Sequence, residues 1–231
     1  MMLSDKDLKE LALTRQLVTP FDPSNCEGAT INLTLDSKIK RYISEKEIIL
    51  GEKITEDQYE EIDISKTVFH LQPNESVLVR SVEYFRIPDD MAAQVLERYS
   101  IKLLGLMISP ASYMNPGYEG TMSFIAYNQS PKPIRLTPGI KFAQLAIFKL
   151  SSEAEKPYRK QDAKYLGSNE VSISKLHLDK EIQEFLLKKG IGNVSNDTAK
   201  ELGDFLMNKI NKSAQKIAEE LRKKFGDPNE R

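Results

Sequence analysis

Residue types that build metal centres and covalent cross-links are scarce in this sequence. Its 231 residues include one cysteine, Cys26, and two histidines, His70 and His177. A single cysteine excludes an internal disulfide and a thiolate zinc cluster. Two histidines are too few for a histidine-rich metal site, so we expect no zinc.

Charge of one sign and long hydrophobic runs are also lacking. The 33 basic and 34 acidic residues leave a net charge of -1, so no global field favours nucleic acid. The C-terminal lysines alternate with acidic residues, which is typical of a solvated surface. No apolar run approaches the ~20 residues that span a membrane, and the charged N-terminus lacks the apolar core of a signal peptide. We therefore expect a soluble cytoplasmic protein without membrane or nucleic-acid partners.

The chain opens with a predicted helix. Ser4 is suited to cap its N-terminus, and acidic residues follow in the first turn. Leu8, Leu11 and Leu17 are spaced for one helical face, and Thr19–Pro20 is expected to end the helix. We expect this helix to support the scaffold rather than to act on a ligand.

Up to about residue 170, the sequence is a series of short strand-like segments between glycine and proline turns. Residues 28–35 alternate apolar and polar side chains, as in a half-buried strand. Residues 69–80 predict a strand, a turn and a second strand, with His70 as a surface residue. Residues 43–66 are charged and predict a solvated excursion with short strands. The pattern predicts a mainly β protein with a β-barrel or jelly-roll core.

The last part of the chain, residues 176–231, is predicted to be a helical extension of a β domain formed by residues 1–175. Residues 178–189 predict a short helix closed by Gly190. Residues 197–225 predict a helix roughly 43 Å long at ~1.5 Å per residue. One face of the longer helix carries an apolar stripe: Ala199, Leu206, Ile210, Ala214, Ile217, Leu221 and Phe225. This stripe either packs within the protein or its oligomer, or binds a protein partner, and the sequence leaves both open.

Residues 96–128 hold the features that point to a ligand. Arg98 and Ser100 precede an apolar run, and a tight turn with two glycines follows at residues 115–120. A predicted strand comes next. An arginine can grip phosphate with two parallel hydrogen bonds, and glycines let the backbone approach a flat ring closely. The stretch therefore suits an anionic ligand that carries a ring.

Four segments resemble motifs of the dUTPase and dCTP deaminase superfamily. Residues 98–106 are similar to its Arg-Ser-Ser segment and downstream Leu-Gly, and residues 115–120 to its Asp-(Ala/Pro)-Gly-aromatic-x-Gly hairpin. Residues 138–145 are similar to its Pro-Gly…Gln-Leu motif, and residues 162–165, Asp-Ala-Lys-Tyr, to a segment of the deaminase branch. The resemblance extends over residues 3–168. It implies a dUTPase-like distorted jelly roll that assembles as a homotrimer, with active sites between subunits and dCTP or dUTP as ligand.

The resemblance also implies a set of substrate-binding residues. In the deaminase branch, the lysine and tyrosine that match Lys164 and Tyr165 help to hold the triphosphate. The glutamine that matches Gln144 supports phosphate binding in several members, and an amide that satisfies a nearby backbone group is the alternative. A triphosphate is expected to bring Mg²⁺, which neutralises phosphate charge. The implied substrate-binding residues are Arg98, Ser100, Gly117, Tyr118, Gln144, Lys164 and Tyr165.

The carboxylates that perform the family's chemistry are replaced in this chain. In dUTPases the hairpin aspartate activates water, and this chain has Asn115 there, whose amide cannot act as that base. In dCTP deaminases a glutamate on the following strand shuttles protons, and the matching position is Ile125. Tyr99 also replaces a serine, and Leu103 an arginine, of the family pattern.

Two hypotheses follow from these replacements. In the first, the protein is an active dCTP deaminase-like or dUTP diphosphatase-like enzyme, in which Glu119, or Glu97 beside Arg98, takes over the catalytic role. In the second, it is a catalytically inactive nucleotide-binding or scaffold homotrimer that uses its C-terminal helices for protein–protein interaction. The candidate catalytic positions are thus Asn115 and Glu119. Restoring an aspartate at position 115 discriminates between the two hypotheses.

Overall fold

The computed structural model describes residues 1–108 and 113–189, together with Met207 and Ala214. The chain divides into two compact units. The first consists of Met1–Glu45 and Thr55–Ile173, and the second of Lys46–Ile54 and Ser174–Arg231. The domain boundary after residue 175 stays a prediction. Each unit is described by itself below.

Strands dominate the first unit, and each helix there is short. The helices of the described residues are α1 (Asp5–Arg15), α2 (Tyr99–Lys102) and α3 (Lys180–Lys189). The strands are β1 (Val18–Thr19), β2 (Cys26–Glu27), β3 (Thr30–Thr34), β4 (Lys38–Tyr42), β5 (Tyr59–Asp63), β6 (Phe69–Leu71), β7 (Ser76–Arg80), β8 (Tyr84–Arg86), β9 (Met91–Glu97), β10 (Leu106–Ile108), β11 (Tyr113–Met114), β12 (Glu119–Gly120), β13 (Ser123–Asn128), β14 (Ile134–Leu136) and β15 (Lys141–Lys149).

The strands form two five-stranded antiparallel sheets and two smaller ones. The larger sheets have the orders β10-β13-β7-β4-β5 and β11-β9-β15-β3-β2, and the smaller ones are β1-β8-β12 and β14-β6. The large sheets meet across the core. There the buried rings of Phe124 in β13 and Phe142 in β15 pack edge to face, with centroids 5.7 Å apart. The predicted mainly β architecture is confirmed.

The first three residues of the chain add to the edge of β15. The Leu3 N–H donates to the Ile147 carbonyl (3.0 Å), and the Lys149 N–H donates to the Met1 carbonyl (2.9 Å). Met2 lies opposite Phe148. The start of the chain is therefore held on a strand that ends 148 residues later.

Helix α1 begins where the sequence predicts and ends earlier. The Ser4 hydroxyl accepts from the Asp7 N–H while the Asp7 side chain accepts from the Ser4 N–H, which is a capping box. The helix ends at Arg15 because Gln16 takes a left-handed conformation, with φ of 51°. The prediction that it runs to Thr19–Pro20 is wrong, and Leu17 lies fully buried beyond the helix end.

Strand β13 has one row of side chains in the core and one row facing outward. Phe124 and Ala126 are buried, and Ser123, Ile125 and Tyr127 alternate with them on the outer face. The strand pairs with β7, which places Arg80, Leu78 and Ser76 opposite these three outward residues in that order. Ile125, the position at which the family resemblance implies a glutamate, lies on this outer face.

In the second unit, residues 46–54 pack against α3. The Gln183 side-chain amide donates to the Gly51 carbonyl (2.8 Å), and both Gln183 and Leu186 are buried. The predicted helix over residues 178–189 is confirmed, with its first α-helical residue at Lys180 after a 3-10 turn at Leu176–Leu178.

The predicted longer helix over residues 197–225 and the closing Gly190 lie outside the described residues, except that Met207 and Ala214 are helical. Among the helices of the described part of the chain, none is long and apolar enough to cross a membrane.

Candidate functional site

The glycine-containing turn at residues 115–120 is anchored to the end of β8. The Gly117 N–H donates to the Ile87 carbonyl (2.9 Å), and the Ile87 N–H donates to the Tyr118 carbonyl (2.8 Å). Gly117 has φ of +74°, a left-handed conformation that favours glycine. The half-buried Asn115 accepts from the Tyr118 N–H through its backbone carbonyl (3.0 Å) and closes the turn.

The open side of Gly117 is covered by other parts of the same chain. A Cβ atom built on Gly117 would lie 2.8 Å from the Cβ of Pro157 and 2.9 Å from a carboxylate oxygen of Asp89. The guanidinium of Arg159 forms an ion pair with that carboxylate. The close approach that the sequence predicts at this glycine is thus to protein atoms in the described structure.

Tyr118 is only 5% exposed, and its polar group is satisfied inside the chain. Its hydroxyl donates to the Thr121 carbonyl (2.7 Å), and its ring centroid lies 5.5 Å from that of Tyr158. Burial raises the pKa of the Tyr118 phenol well above its usual range, so it is a neutral hydrogen-bond donor at physiological pH. The ring packs the turn against residues that follow β15.

Glu119, the predicted substitute carboxylate, is exposed beside Gly117. Arg86, its partner in the β8–β12 pairing, donates from Nε to the Glu119 carboxylate (3.1 Å), and the same guanidinium lies 4.9 Å from the ring centroid of Tyr84. Gly117, Tyr118 and Glu119 line an open cleft of about 440 Å³. Glu119 is thus an exposed carboxylate that is ion-paired with Arg86 at the edge of this cleft.

Lys164 and Tyr165 are placed next to this turn by Tyr158. The Tyr158 N–H donates to the Pro116 carbonyl (2.6 Å), and the Tyr165 N–H donates to the Tyr158 hydroxyl (3.2 Å). Both Lys164 and Tyr165 are half-buried. The turn and the predicted phosphate-binding pair therefore belong to one cluster, which we call the hairpin group (residues 115–119, 164 and 165).

Arg98, Ser100 and Gln144 form a second cluster at the end of β9. Arg98 precedes α2, and its Nη1 donates to the Lys141 carbonyl (3.0 Å), while Ser100 is exposed on α2. Gln144 lies opposite Leu96 in the β9–β15 pairing, and its amide donates to the Asn32 side-chain oxygen (3.5 Å). We call these residues the arginine group.

The two groups lie at opposite ends of β9 within one chain. Met114, which precedes the turn, pairs with Ala93. Arg98 follows Ala93 by five positions, which corresponds to roughly 17 Å at ~3.3 Å per residue. One chain therefore does not bring Arg98 directly beside the turn.

The carboxylates near these groups differ in what they contact. Ile125, at the predicted position of the catalytic glutamate, is 48% exposed on the outer face of β13. Glu97 accepts from the Ile108 N–H (3.1 Å) and lies 3.6 Å from the ammonium of Lys102. Glu97 thus holds the β9–β10 connection. Within residues 1–108 and 113–189, no group of three or more histidine, cysteine, aspartate or glutamate side chains could hold a metal ion.

The comparison with known families is consistent with this layout. The sequence model of the dCTP deaminase-like family matches residues 2–150 of this chain. This chain belongs to the dCTP deaminase-like family. The match confirms the resemblance to the dUTPase and dCTP deaminase superfamily and places the protein on its deaminase-like branch.

Relatives of this dCTP deaminase-like protein align over most of its length. A protein of Persephonella marina named "dCTP deaminase, dUMP-forming" is 30% identical over 183 residues, which cover 78% of this chain and 100% of the relative. A protein of the same name from Streptomyces griseus is 32% identical over 186 residues, covering 76% of this chain and 95% of the relative.

A solved structure shares the fold of this family member. The 2'-deoxycytidine 5'-triphosphate deaminase of Agrobacterium tumefaciens superposes with a TM-score of 0.51 at 19% identity. The match covers 63% of this chain and 47% of that chain. At this identity the likeness shows the fold alone.

Sequence reasoning missed two residues that shape the hairpin group. Asp89 and Arg159 form the ion pair that covers Gly117, and they are 70 residues apart in the sequence. Their opposite charges are visible in the sequence, but nothing local pairs them. The available signal is that Arg159 occurs three residues before the family-like Asp-Ala-Lys-Tyr segment.

Proposed function

We propose that this protein binds a pyrimidine deoxynucleoside triphosphate, dCTP or dUTP, without the carboxylate-driven turnover that the family resemblance implies. The observation that carries the proposal is an asymmetry between residue types. The side chains suited to phosphate are retained, whereas Ile125 presents a hydrocarbon on the outer face of β13 where ring chemistry requires a carboxylate. An aliphatic side chain there can contact a ring but cannot move a proton.

Contacts to the phosphate groups are proposed to hold the ligand most strongly. Arg98 offers a planar fork of donors and Lys164 a mobile point charge, and both suit phosphate oxygens. Mg²⁺ would bind together with the triphosphate, and phosphate oxygens and water molecules would supply most of its ligands. The cytoplasmic pool of free nucleotides is the proposed source.

The proposed assembly is a homotrimer with the ligand between copies. The support for this is the roughly 17 Å that separate the two groups along β9 at ~3.3 Å per residue. An arginine group from one copy beside a hairpin group from the next would complete the set of phosphate and ring contacts. The C-terminal helices are the proposed site for a protein partner.

A thermal-shift titration with dCTP, dUTP and dTTP, with and without Mg²⁺, tests binding. A ligand at a hundredfold its dissociation constant should stabilise the fold by ~2.7 kcal/mol. Ser100→Ala should weaken triphosphate binding about tenfold, since one charge-assisted hydrogen bond is lost. Ser152→Ala, another exposed serine, is the matched control and should bind as the native protein does. The absence of a shift with every nucleotide would refute the proposal.

Assays for ammonia and pyrophosphate on the same samples test the turnover claim. The native protein should release neither product. Asn115→Asp should then release pyrophosphate from bound dUTP, and Ile125→Glu should release ammonia from bound dCTP, because each places a carboxylate at a family position and only the cytosine ring carries an amino group to lose.

The alternative is an active diphosphatase with Glu119 as the base, which its exposure beside Gly117 favours. In that case the native protein releases pyrophosphate and Glu119→Gln abolishes the release. A decrease of an existing activity in Asn115→Asp would also support this alternative.

A further inference from the structure

Residues 167–172, which we call the clasp, run along the turn and the start of β13. The Gly167 N–H donates to the Glu119 carbonyl (2.8 Å), and the Thr121 N–H donates to the Ser168 carbonyl (2.7 Å). The Ser172 N–H donates to the Ser123 hydroxyl (2.7 Å). The clasp thus bonds to positions 119, 121 and 123, every second residue of this part of the chain.

The middle of the clasp is held by an arginine of the neighbouring strand. Arg80 in β7 lies opposite Ser123, and its Nη1 donates to the Asn169 carbonyl. Its Nε donates to the carboxylate of Asp36. The side chains of Arg80 and Asp36 are only 18% and 14% exposed, so the guanidinium is fixed from two sides. Val171, two residues beyond Asn169, is buried and secures the far end.

The clasp begins two residues after the predicted phosphate-binding pair, Lys164 and Tyr165. Those two residues are tied upstream to the turn through Tyr158, whose hydroxyl accepts from the Tyr165 N–H. Downstream they are tied through the clasp. Since a lysine side chain is long and flexible, its usefulness toward phosphate depends on how firmly its backbone is held.

We infer that Arg80 is a positioning residue for nucleotide binding: by clamping the Asn169 carbonyl it holds the clasp on β13 and so fixes Lys164 and Tyr165 beside the turn. This inference rests on the proposed function. Arg80 itself is directed at Asp36 and the clasp, and it acts through the lysine and tyrosine rather than by touching the ligand.

Arg80 is needed for the fixed directions of its guanidinium donors rather than for its positive charge. A guanidinium donates to a carboxylate and a carbonyl at once in fixed directions, whereas an ammonium is a point charge that a carboxylate partner captures. Arg80→Lys therefore keeps the net charge and the pairing with Asp36, and it gives up the bond to Asn169. Arg41→Lys is the matched control, because Arg41 also pairs with a carboxylate, Glu60, on a neighbouring strand.

The first measurement is hydrogen exchange of the full-length protein without nucleotide. In Arg80→Lys, the amides of Gly167 and Ser172 should exchange about tenfold faster, because one charge-assisted bond that holds the clasp is lost. The amides of α1 should be unchanged. Arg41→Lys should leave the clasp amides as they are in the native protein.

The second measurement is a double-mutant cycle for dCTP affinity. Arg80→Lys should weaken dCTP binding about tenfold in the native background and clearly less in the Lys164→Ala background, because the part of its effect that passes through Lys164 is then absent. A merely structural loss would lower affinity equally in both backgrounds.

Equal losses in the two backgrounds, or unchanged exchange in the clasp, would overturn the inference and leave nucleotide binding standing. If the native protein binds no nucleotide, the proposed function fails and the positioning role fails with it. Faster exchange in Arg80→Lys would then show only that Arg80 holds the clasp.

Discussion

Glu83 is a buried carboxylate, and no lysine or arginine of residues 1–108 and 113–189 forms an ion pair with it. It is 4% exposed, and both of its oxygens lie 3.1 Å from the Thr34 backbone nitrogen. Burial raises the pKa of Glu83, and the hydrogen bonds from Thr34 and Ser81 oppose that rise. The side chain holds the end of β3 to the segment between β7 and β8, and its charged form is the less favoured one.

Stability should therefore depend on pH through Glu83. A carboxyl whose pKa is higher in the folded state than in the unfolded state binds its proton more tightly when folded. The contribution of this carboxyl to the free energy of unfolding is fully present below its ordinary pKa. That contribution is lost as the pH rises through its pKa in the folded state. Glu83→Gln, which keeps an acceptor oxygen, should remove this loss and gain stability relative to the native protein from pH 4 to pH 8.

Urea unfolding across that pH range measures the effect. Glu155→Gln, at an exposed position, serves as the control and should follow the native pH profile. If the Glu83→Gln and native free energies of unfolding stay parallel with pH, burial of Glu83 does not control this dependence.

Individual contacts could be predicted from the sequence only where they are local. The capping box joins Ser4 to Asp7 within one turn, so residue type and spacing suffice. The ion pair of Asp89 with Arg159 bridges 70 residues. Many other acidic and basic residues carry charges that could form an ion pair. Only the folded backbone brings Asp89 and Arg159 together.

At the scale of elements, Gly51 shows how closely residues 46–54 fit against α3. It has φ of +97°, and a Cβ atom there would lie 2.5 Å from Leu186 Cδ1 and 2.7 Å from Ile182 Cγ2. Both side chains belong to α3. The helix therefore rests on a position that tolerates no side chain in its present packing.

Gly51→Ala should loosen α3. The substitution combines about 1–2 kcal/mol of backbone strain with steric overlap on the helix. Hydrogen exchange of the amides of α3 should rise at least about tenfold, since every 1.4 kcal/mol of local stability is a factor of ten. Gly139→Ala is the control, because Gly139 has φ of +83° with nothing within 4 Å of an added Cβ. It should lower the melting temperature without changing exchange in α3.

Equal exchange of the α3 amides in the two variants would mean that Gly51→Ala does not loosen α3, which would contradict the prediction.

The elements that could be predicted are those long enough to show a period. Alternation identifies β3, aromatic and branched residues indicate β13, and the turn between β6 and β7 is marked by proline and asparagine. The two-residue strands β1 and β12 show no period, so the three-stranded sheet that supports the turn could not be predicted. The end of α1 was missed because a single left-handed residue, Gln16, stops it.

At the scale of the whole molecule, exposed apolar side chains gather around α2. Leu103 is 68% exposed, and Tyr99 and Leu104 are similarly exposed. They adjoin Arg98 and Ser100 in the chain, so exposed apolar side chains lie next to these two members of the arginine group. Such clustering is typical of a surface that another chain covers, and the proposed homotrimer would cover it.

Leu103→Glu should therefore disrupt the homotrimer. A charge at an exposed position changes the stability of a single chain by less than about 0.5 kcal/mol, but it is costly once buried between copies. Sedimentation should give three times the 26.3 kDa chain mass for the native protein and a single chain for the variant.

Leu13→Glu, at an exposed leucine of α1, should stay trimeric. A native protein that sediments as one chain would rule out the proposed assembly. If Leu103→Glu remains trimeric, α2 is not part of the contact between copies.

The fold class could be predicted from the sequence, and the order of strands within the sheets could not. Strand spacing and turn residues predict a mainly β core because they are repeated along the chain. The pairing of β3 with β15 joins Asn32 to Gln144, which are 112 residues apart. Sequence periodicity contains no information about which strands become neighbours, whereas a family resemblance does imply it.

The attachment of Met1–Leu3 to β15 has a consequence for how the protein is made. These residues are synthesised nearly 150 residues before their partners, Ile147 to Lys149. Until β15 is made, Met1–Leu3 and the edge of β3 that pairs with β15 have no partner strand, and unpaired strand edges of this kind are prone to aggregate.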